Sequence, residues 1–178
     1  MNNKELNWQI FGIFFILIVG SILHFLFELS GYFHPVGAIS AVNESVWEHL
    51  KMGFWPILFL APLEYKFLKN LTKNYIIAKC IAAYTIAGLI VVIFYTYTAI
   101  LGTNMLLLDG LTFIISIIIG QYFGYRIIIA EQLNDKFTML SWFLFILLAF
   151  SFILFTYFPP HLPIFRDSQT GLYGITDR

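Results

Sequence analysis

The sequence predicts an all-α integral membrane protein: a bundle of about five transmembrane helices, with a cytoplasmic N-terminus and a C-terminal tail on the outer side. Three observations predict it. Of 178 residues, 60% are hydrophobic and 11% charged, against about 45–50% and about 25% in an average soluble domain. Five stretches reach the about 20 apolar residues that a spanning helix needs. The basic residues fall unevenly between the two ends of those stretches, as the positive-inside rule requires. At a mean hydropathy of +0.82, a chain of this length has no single globular core able to hide so much apolar surface. A soluble enzyme, a disordered chain and a nucleic-acid binder are thereby excluded, and a formal charge of zero gives polyanions no attraction.

The stretches are Trp8–Leu29, Val46–Phe67, Tyr75–Leu101, Met105–Ile129 and Phe137–Phe158. The first is longer than a signal-peptide core, and the small residues Gly37–Ala41 lie too far beyond it for a cleavage site, so it reads as an uncleaved helix. The second carries Pro56 and Pro62, which membrane helices tolerate as kinks; dropping it would leave four spans. With the N-terminus inside, seven basic residues (Lys4, Lys66, Lys69, Lys73, Lys79, Arg126, Lys136) face the cytoplasm and three (Lys51, Arg166, Arg178) face outward. Residues 1–158 then form the transmembrane domain, and the Pro-rich residues 159–178 a tail packed over the outer mouth. Gly120 and Gly124 make a GxxxG pair that allows close helix approach, and an oligomer through it. The lone Cys80 has no intrachain partner. A composition rich in Ile, Phe and Asn points to an AT-rich prokaryotic genome, hence to a multi-pass protein of the cytoplasmic membrane.

This topology sorts the polar residues. All four histidines (His24, His34, His49, His161) fall at the outer ends, with Glu28, Glu44, Glu48, Asp109, Asp167 and Asp177. The inner side keeps Glu5, Glu64, Glu131 and Asp135, mostly beside basic residues. His24 and Glu28, four apart, share one helix face. Ser45 and Glu48 form a capping box for the second helix, in which the Glu48 carboxylate reaches back to the Ser45 amide. Capping leaves Asn43, His49 and Lys51 in the same turn unexplained. Asp109 lies about one turn inside the fourth stretch; it is either a functional acid or a latch to a Tyr or Thr hydroxyl of the third.

The Asn43-Glu44-Ser45-Val46-Trp47-Glu48-His49 element, His24 and Glu28 upstream, and the Pro-His-x-Pro…Asp…Thr-Gly-x-Tyr-Gly tail resemble an uncharacterised family of small multi-span membrane proteins of bacteria and archaea. The resemblance covers most of the chain; it implies a compact helical membrane fold and brings no activity with it. In the make-up of its polar face the chain is also similar to membrane-embedded zinc hydrolases of the ceramidase and adiponectin-receptor type, but it has fewer helices and no H-x-x-x-H pair.

Catalytic zinc takes three His or carboxylate ligands and keeps one position open. His24, His49 and His161, with Glu28 as an alternate, could hold zinc or another divalent metal, while Glu48 or Asp109 takes a proton from water. The substrate would be a lipid or lipophilic molecule reached from the bilayer. A metal-free version has Glu44 and Glu48 sharing a proton as paired carboxylates. Three further readings stand beside these. A small proton-coupled carrier would use Glu64 as an inner relay, although about 24 Å of helix separates it from Glu48. A non-catalytic partner subunit would dock another protein on the outer polar cap. His24 and His49 could also ligate haem.

Overall fold

The computed structural model describes residues 4–175; Asp177 and Arg178, placed on the outer side by the sequence, lie outside the described residues. The described chain is all-helical: α1 Lys4–Leu29, α2 Val46–Leu68, α3 Tyr75–Leu101, α4 Leu106–Ile128 and α5 Asp135–Tyr157, with 3-10 turns at His34–Ala38 and Pro163–Phe165. Helix ends have local causes. Ser45, extended at φ −79° and ψ 153°, accepts the Glu48 amide on its hydroxyl at 3.4 Å and opens α2. Asn134 does the same for α5 by accepting the Lys136 amide at 2.9 Å. Gly102, at φ 77°, takes the left-handed conformation that closes α3. α2 runs unbroken through Pro56 and Pro62.

Helices α1, α2, α3 and α4 close a ring, each packed on the next and α4 back on α1, while α5 packs outside it against α3 and α2. Ile16, Ile86 and Ile117, all at most 1% exposed, fill the centre. Close approach there needs glycine. Gly53 of α2 and Gly120 of α4 both face the Ile86 side chain, and a Cβ on Gly120 would overlap it and stand 2.9 Å from the Ala82 carbonyl. Gly124 likewise lies against Ala78 and Ala82. The GxxxG face is therefore filled by α3 within the chain, which corrects the expectation that it serves an oligomer.

Four helices (α1, α3, α4, α5) are long and apolar enough to cross a membrane, and their outward residues, such as Phe14, Ile18, Phe143 and Ile146, are exposed hydrocarbon. α2 differs because it carries Glu48, Lys51 and Glu64, all buried. Lys79, which the sequence places among the cytoplasmic loop charges, is also buried, on α3.

Overpacking a filled site of this kind costs about 1–3 kcal/mol. Gly120→Ala is therefore expected to lower the thermal midpoint of the detergent-solubilised protein, whereas Gly110→Ala, at a helical glycine with open space around it, leaves it in place or raises it. Equal midpoints for the two variants would contradict this packing.

Candidate metal centre

The segment between α1 and α2 is fixed by side chains that reach it from elsewhere in the fold. Lys51 Nζ donates to Glu48 Oε2 at 2.5 Å, to Thr156 Oγ1 of α5 at 2.7 Å and to the Gly37 carbonyl at 2.7 Å. An ammonium has three protons, and all three are used. Glu48 in turn accepts the Val42 amide on Oε2 at 3.0 Å and the Thr156 hydroxyl on Oε1 at 3.1 Å. The capping box is thus half formed: Ser45 caps α2, but the Ser45 amide donates to Asn43 Oδ1 at 2.9 Å rather than to Glu48. The Asn43 amide donates to the Gly174 carbonyl at 2.9 Å, and the Ser168 amide to the Glu44 carbonyl at 3.4 Å. Phe165 packs its ring on Trp47 with centroids 4.9 Å apart. Loop, α2, α5 and the segment after α5 therefore meet at one knot.

Glu44 projects from this loop, His49 from the first turn of α2 and His24 from α1, and the three converge. Nε2 of His24 and Nε2 of His49 are 3.2 Å apart, and Glu44 Oε2 lies 3.8 Å from the first and 3.5 Å from the second. A tetrahedral zinc centre with bonds of about 2.0–2.1 Å sets its ligand atoms about 3.3–3.4 Å apart. The point in the plane of the three atoms that is equidistant from them lies about 2.0 Å from each, the length of a zinc–nitrogen bond, and a contraction of the triangle by about 0.1 Å in radius gives the tetrahedral spacing. The donor set fits a small divalent cation. His49 Nδ1 donates to the Ser45 carbonyl at 2.8 Å; since a carbonyl only accepts, Nε2 keeps its lone pair, the arrangement that orients metal-binding histidines. One proton on His24 Nε2, or one cation, satisfies the facing lone pairs. The side chains are 27–39% exposed, so a fourth position is open to the surroundings.

The other expected residues lie elsewhere. Glu28 is exposed and outside the cluster. His161 is exposed and lays its ring on Tyr173 at 4.6 Å. The Tyr97 hydroxyl donates to Asp109, which also accepts from Asn104 at 3.3 Å, so Asp109 latches α3 to α4. Glu48 pairs with Lys51 and shares no proton with Glu44. Haem between His24 and His49 does not fit, because trans imidazoles on one metal stand about 4 Å apart and these stand at 3.2 Å.

A second buried network closes the opposite end of α2. Glu64 accepts from Lys79 on both oxygens, at 2.8 and 2.7 Å, from Gln9 at 2.7 Å and from the Tyr75 hydroxyl at 3.2 Å. Lys79 also donates to Gln9 Oε1 at 3.1 Å. The sequence reading missed Gln9 and Tyr75 here and Thr156 at the other end. A glutamine inside an apolar run was the available signal for the first; nothing local marks Thr156.

A family model, Family of unknown function (DUF6512), matches residues 1–175. The chain belongs to DUF6512. No curated protein and no solved structure matches it. Within this DUF6512 chain the donor triad is the one group of three or more His, Cys, Asp or Glu among the described residues with metal-holding geometry.

Removing one partner of a buried ion pair costs about 3–5 kcal/mol because the other charge is stranded. Lys51→Met is expected to destabilise by that amount in denaturant unfolding. The double variant Glu48→Gln with Lys51→Met should recover most of the loss, since a neutral amide still accepts the Val42 amide proton. Additive losses would contradict the pairing.

Proposed function

We propose that this DUF6512 protein holds one divalent metal, zinc in the first instance, at the outer face of a prokaryotic cytoplasmic membrane and uses it as a hydrolase or transferase on a lipophilic substrate. The observation that carries the reading is the set of three donor atoms spaced 3.2–3.8 Å apart on three separate elements. His24, His49 and Glu44 are the ligands. A metal so held acidifies a water and polarises a substrate oxygen, and an open fourth side is the mark of catalytic rather than structural zinc. Glu48 and Lys51 are positioning residues in this account, and Asp109, His161 and Glu28 have no part in the centre.

The fifth span is α2, whose 23 residues extend about 34 Å at 1.5 Å per residue; its charges cross the bilayer because α1, α3 and α5 enclose them. The orientation rests on exposed Lys66, Lys69, Lys73, Arg126 and Lys136 at the Glu64 end. Residues 159–175 form a tail over the outer mouth, a reading supported by the Asn43–Gly174 and Trp47–Phe165 contacts. The carrier reading gains nothing from Glu64, whose carboxylate is closed by four donated hydrogen bonds.

Elemental analysis of the protein purified in detergent is expected to find close to one zinc-type metal per chain, or to regain it on soaking and desalting. His24→Ala, His49→Ala and Glu44→Gln should each weaken retention by more than the roughly 10–100-fold that loss of an outer-shell partner costs, while His161→Ala and Asp109→Asn leave it unchanged. Absence of stoichiometric metal after soaking would overturn the proposal.

A further inference from the structure

We infer that the substrate of this centre is a bilayer-resident acyl ester or amide that enters sideways along α1, and not a phosphodiester; the inference rests on the metal-dependent reading above. Depth is the first argument. Lys4 and His24 are 20 residues apart on one helix, about 30 Å, which is the thickness of the hydrocarbon core. Lys136 to Tyr157 on α5 spans 21 residues, about 32 Å. Tyr157, whose hydroxyl donates to the His34 carbonyl at 2.8 Å, is an interfacial aromatic of the usual kind. Two helices thus place the donor atoms at the level where acyl chains join their polar heads.

The surroundings of His24 divide at the same level. Phe25, the next residue, is 58% exposed, and Phe14, Ile18 and Ile22, 53–60% exposed, continue an apolar face towards the other end of α1, about a quarter to nearly half a turn around the helix from His24. The His24 ring lies 4.7 Å from that of Phe25. Above it stand the polar loop and the Ser168 amide that donates to Glu44. An amphiphile whose chain lies against the exposed Phe25 ring brings its linkage beside His24.

Charge selects the linkage. The ion-pair partners of Glu44 among the described residues are the two histidines alone. Lys51 has all three protons engaged, and Arg166 directs Nε to the Gly171 carbonyl. One divalent cation with one carboxylate leaves a single net positive charge, which matches the single negative charge that develops on a carbonyl oxygen. Phosphoryl transfer needs further cationic clamps, and the described residues place none at the centre. In the reaction the oxygen of water adds to the carbonyl carbon, and the bond from that carbon to the alcohol oxygen or amine nitrogen breaks. One water proton passes to the leaving atom. The other goes to solvent from the carboxylic acid. Nothing is oxidised or reduced.

The test uses full-length protein in phosphatidylcholine proteoliposomes soaked with zinc, with metal content measured on the same sample. The probes are p-nitrophenyl palmitate, palmitoyl p-nitroanilide, p-nitrophenyl acetate and bis-p-nitrophenyl phosphate. Release from at least one palmitoyl probe is expected to exceed that of the His49→Ala protein by roughly 10-fold or more, with the acetate slower and the phosphate at background. Phosphate turnover above the palmitoyl probes, or acetate as fast as palmitate, would overturn the inference. Stoichiometric zinc without palmitoyl turnover overturns this substrate class and leaves the metal centre standing, whereas absence of zinc removes the reading beneath it.

Discussion

A buried ion pair, Glu48 with Lys51, organises the end of the bundle that carries the candidate site. Both side chains are almost wholly enclosed, at 3% and 0% exposure. Neither charge is tolerable there alone, because a buried ion must find an opposite charge and hydrogen bonds for its remaining protons and lone pairs. The requirement is met from three directions: Thr156 of α5, the carbonyl of Gly37 and the amide of Val42. Satisfying the pair therefore fixes the path of residues 37–45 over the end of α2. That path delivers Glu44 to the histidines, and Ser45 to the start of the helix on which His49 sits.

The same constraint explains why α2 is unlike its neighbours. It is a polar spine with an ion-pair network near each end, Glu48–Lys51 and Glu64–Lys79, and it is wrapped by helices that are themselves apolar. A polar group buried in a protein interior has no water to fall back on, so each network has to be complete. The Glu64 network is complete within the ring, through Gln9, Tyr75 and Lys79. The Glu48 network is complete only with α5. Between them the ring narrows on Ile86, where two glycines admit its side chain. The network at the Glu48 end of α2 is what lets three half-buried side chains hold spacings suited to one small cation.

Much of the fold is legible in the sequence because it follows from one-dimensional rules. Apolar stretches of spanning length gave helix limits within a few residues of those observed, and Ser45 marked the start of α2. The pairings are not legible, because they depend on contacts across the chain. Lys51 meets a threonine 105 residues away, and Gly37 takes part through its backbone, which carries no sequence signal. The site shows the same division. His24 and His49 stand out as polar residues at helix ends. The spacing of four that put Glu28 beside His24 holds on the helix, yet Glu28 points past the site. Glu44, read as an acid–base residue, becomes the third donor only because the knot turns its loop inward.

The central claim is that the knot around Glu48 and Lys51 holds His24, Glu44 and His49 as the ligands of one cation. X-ray absorption at the zinc edge of the loaded protein tests it most directly. Two imidazole nitrogens and carboxylate oxygen at about 2.0–2.1 Å in a four-coordinate shell are expected, with the imidazole outer-shell scattering reduced in His49→Ala. A shell of oxygens alone, or an imidazole signature that survives the loss of both His24 and His49, would contradict it.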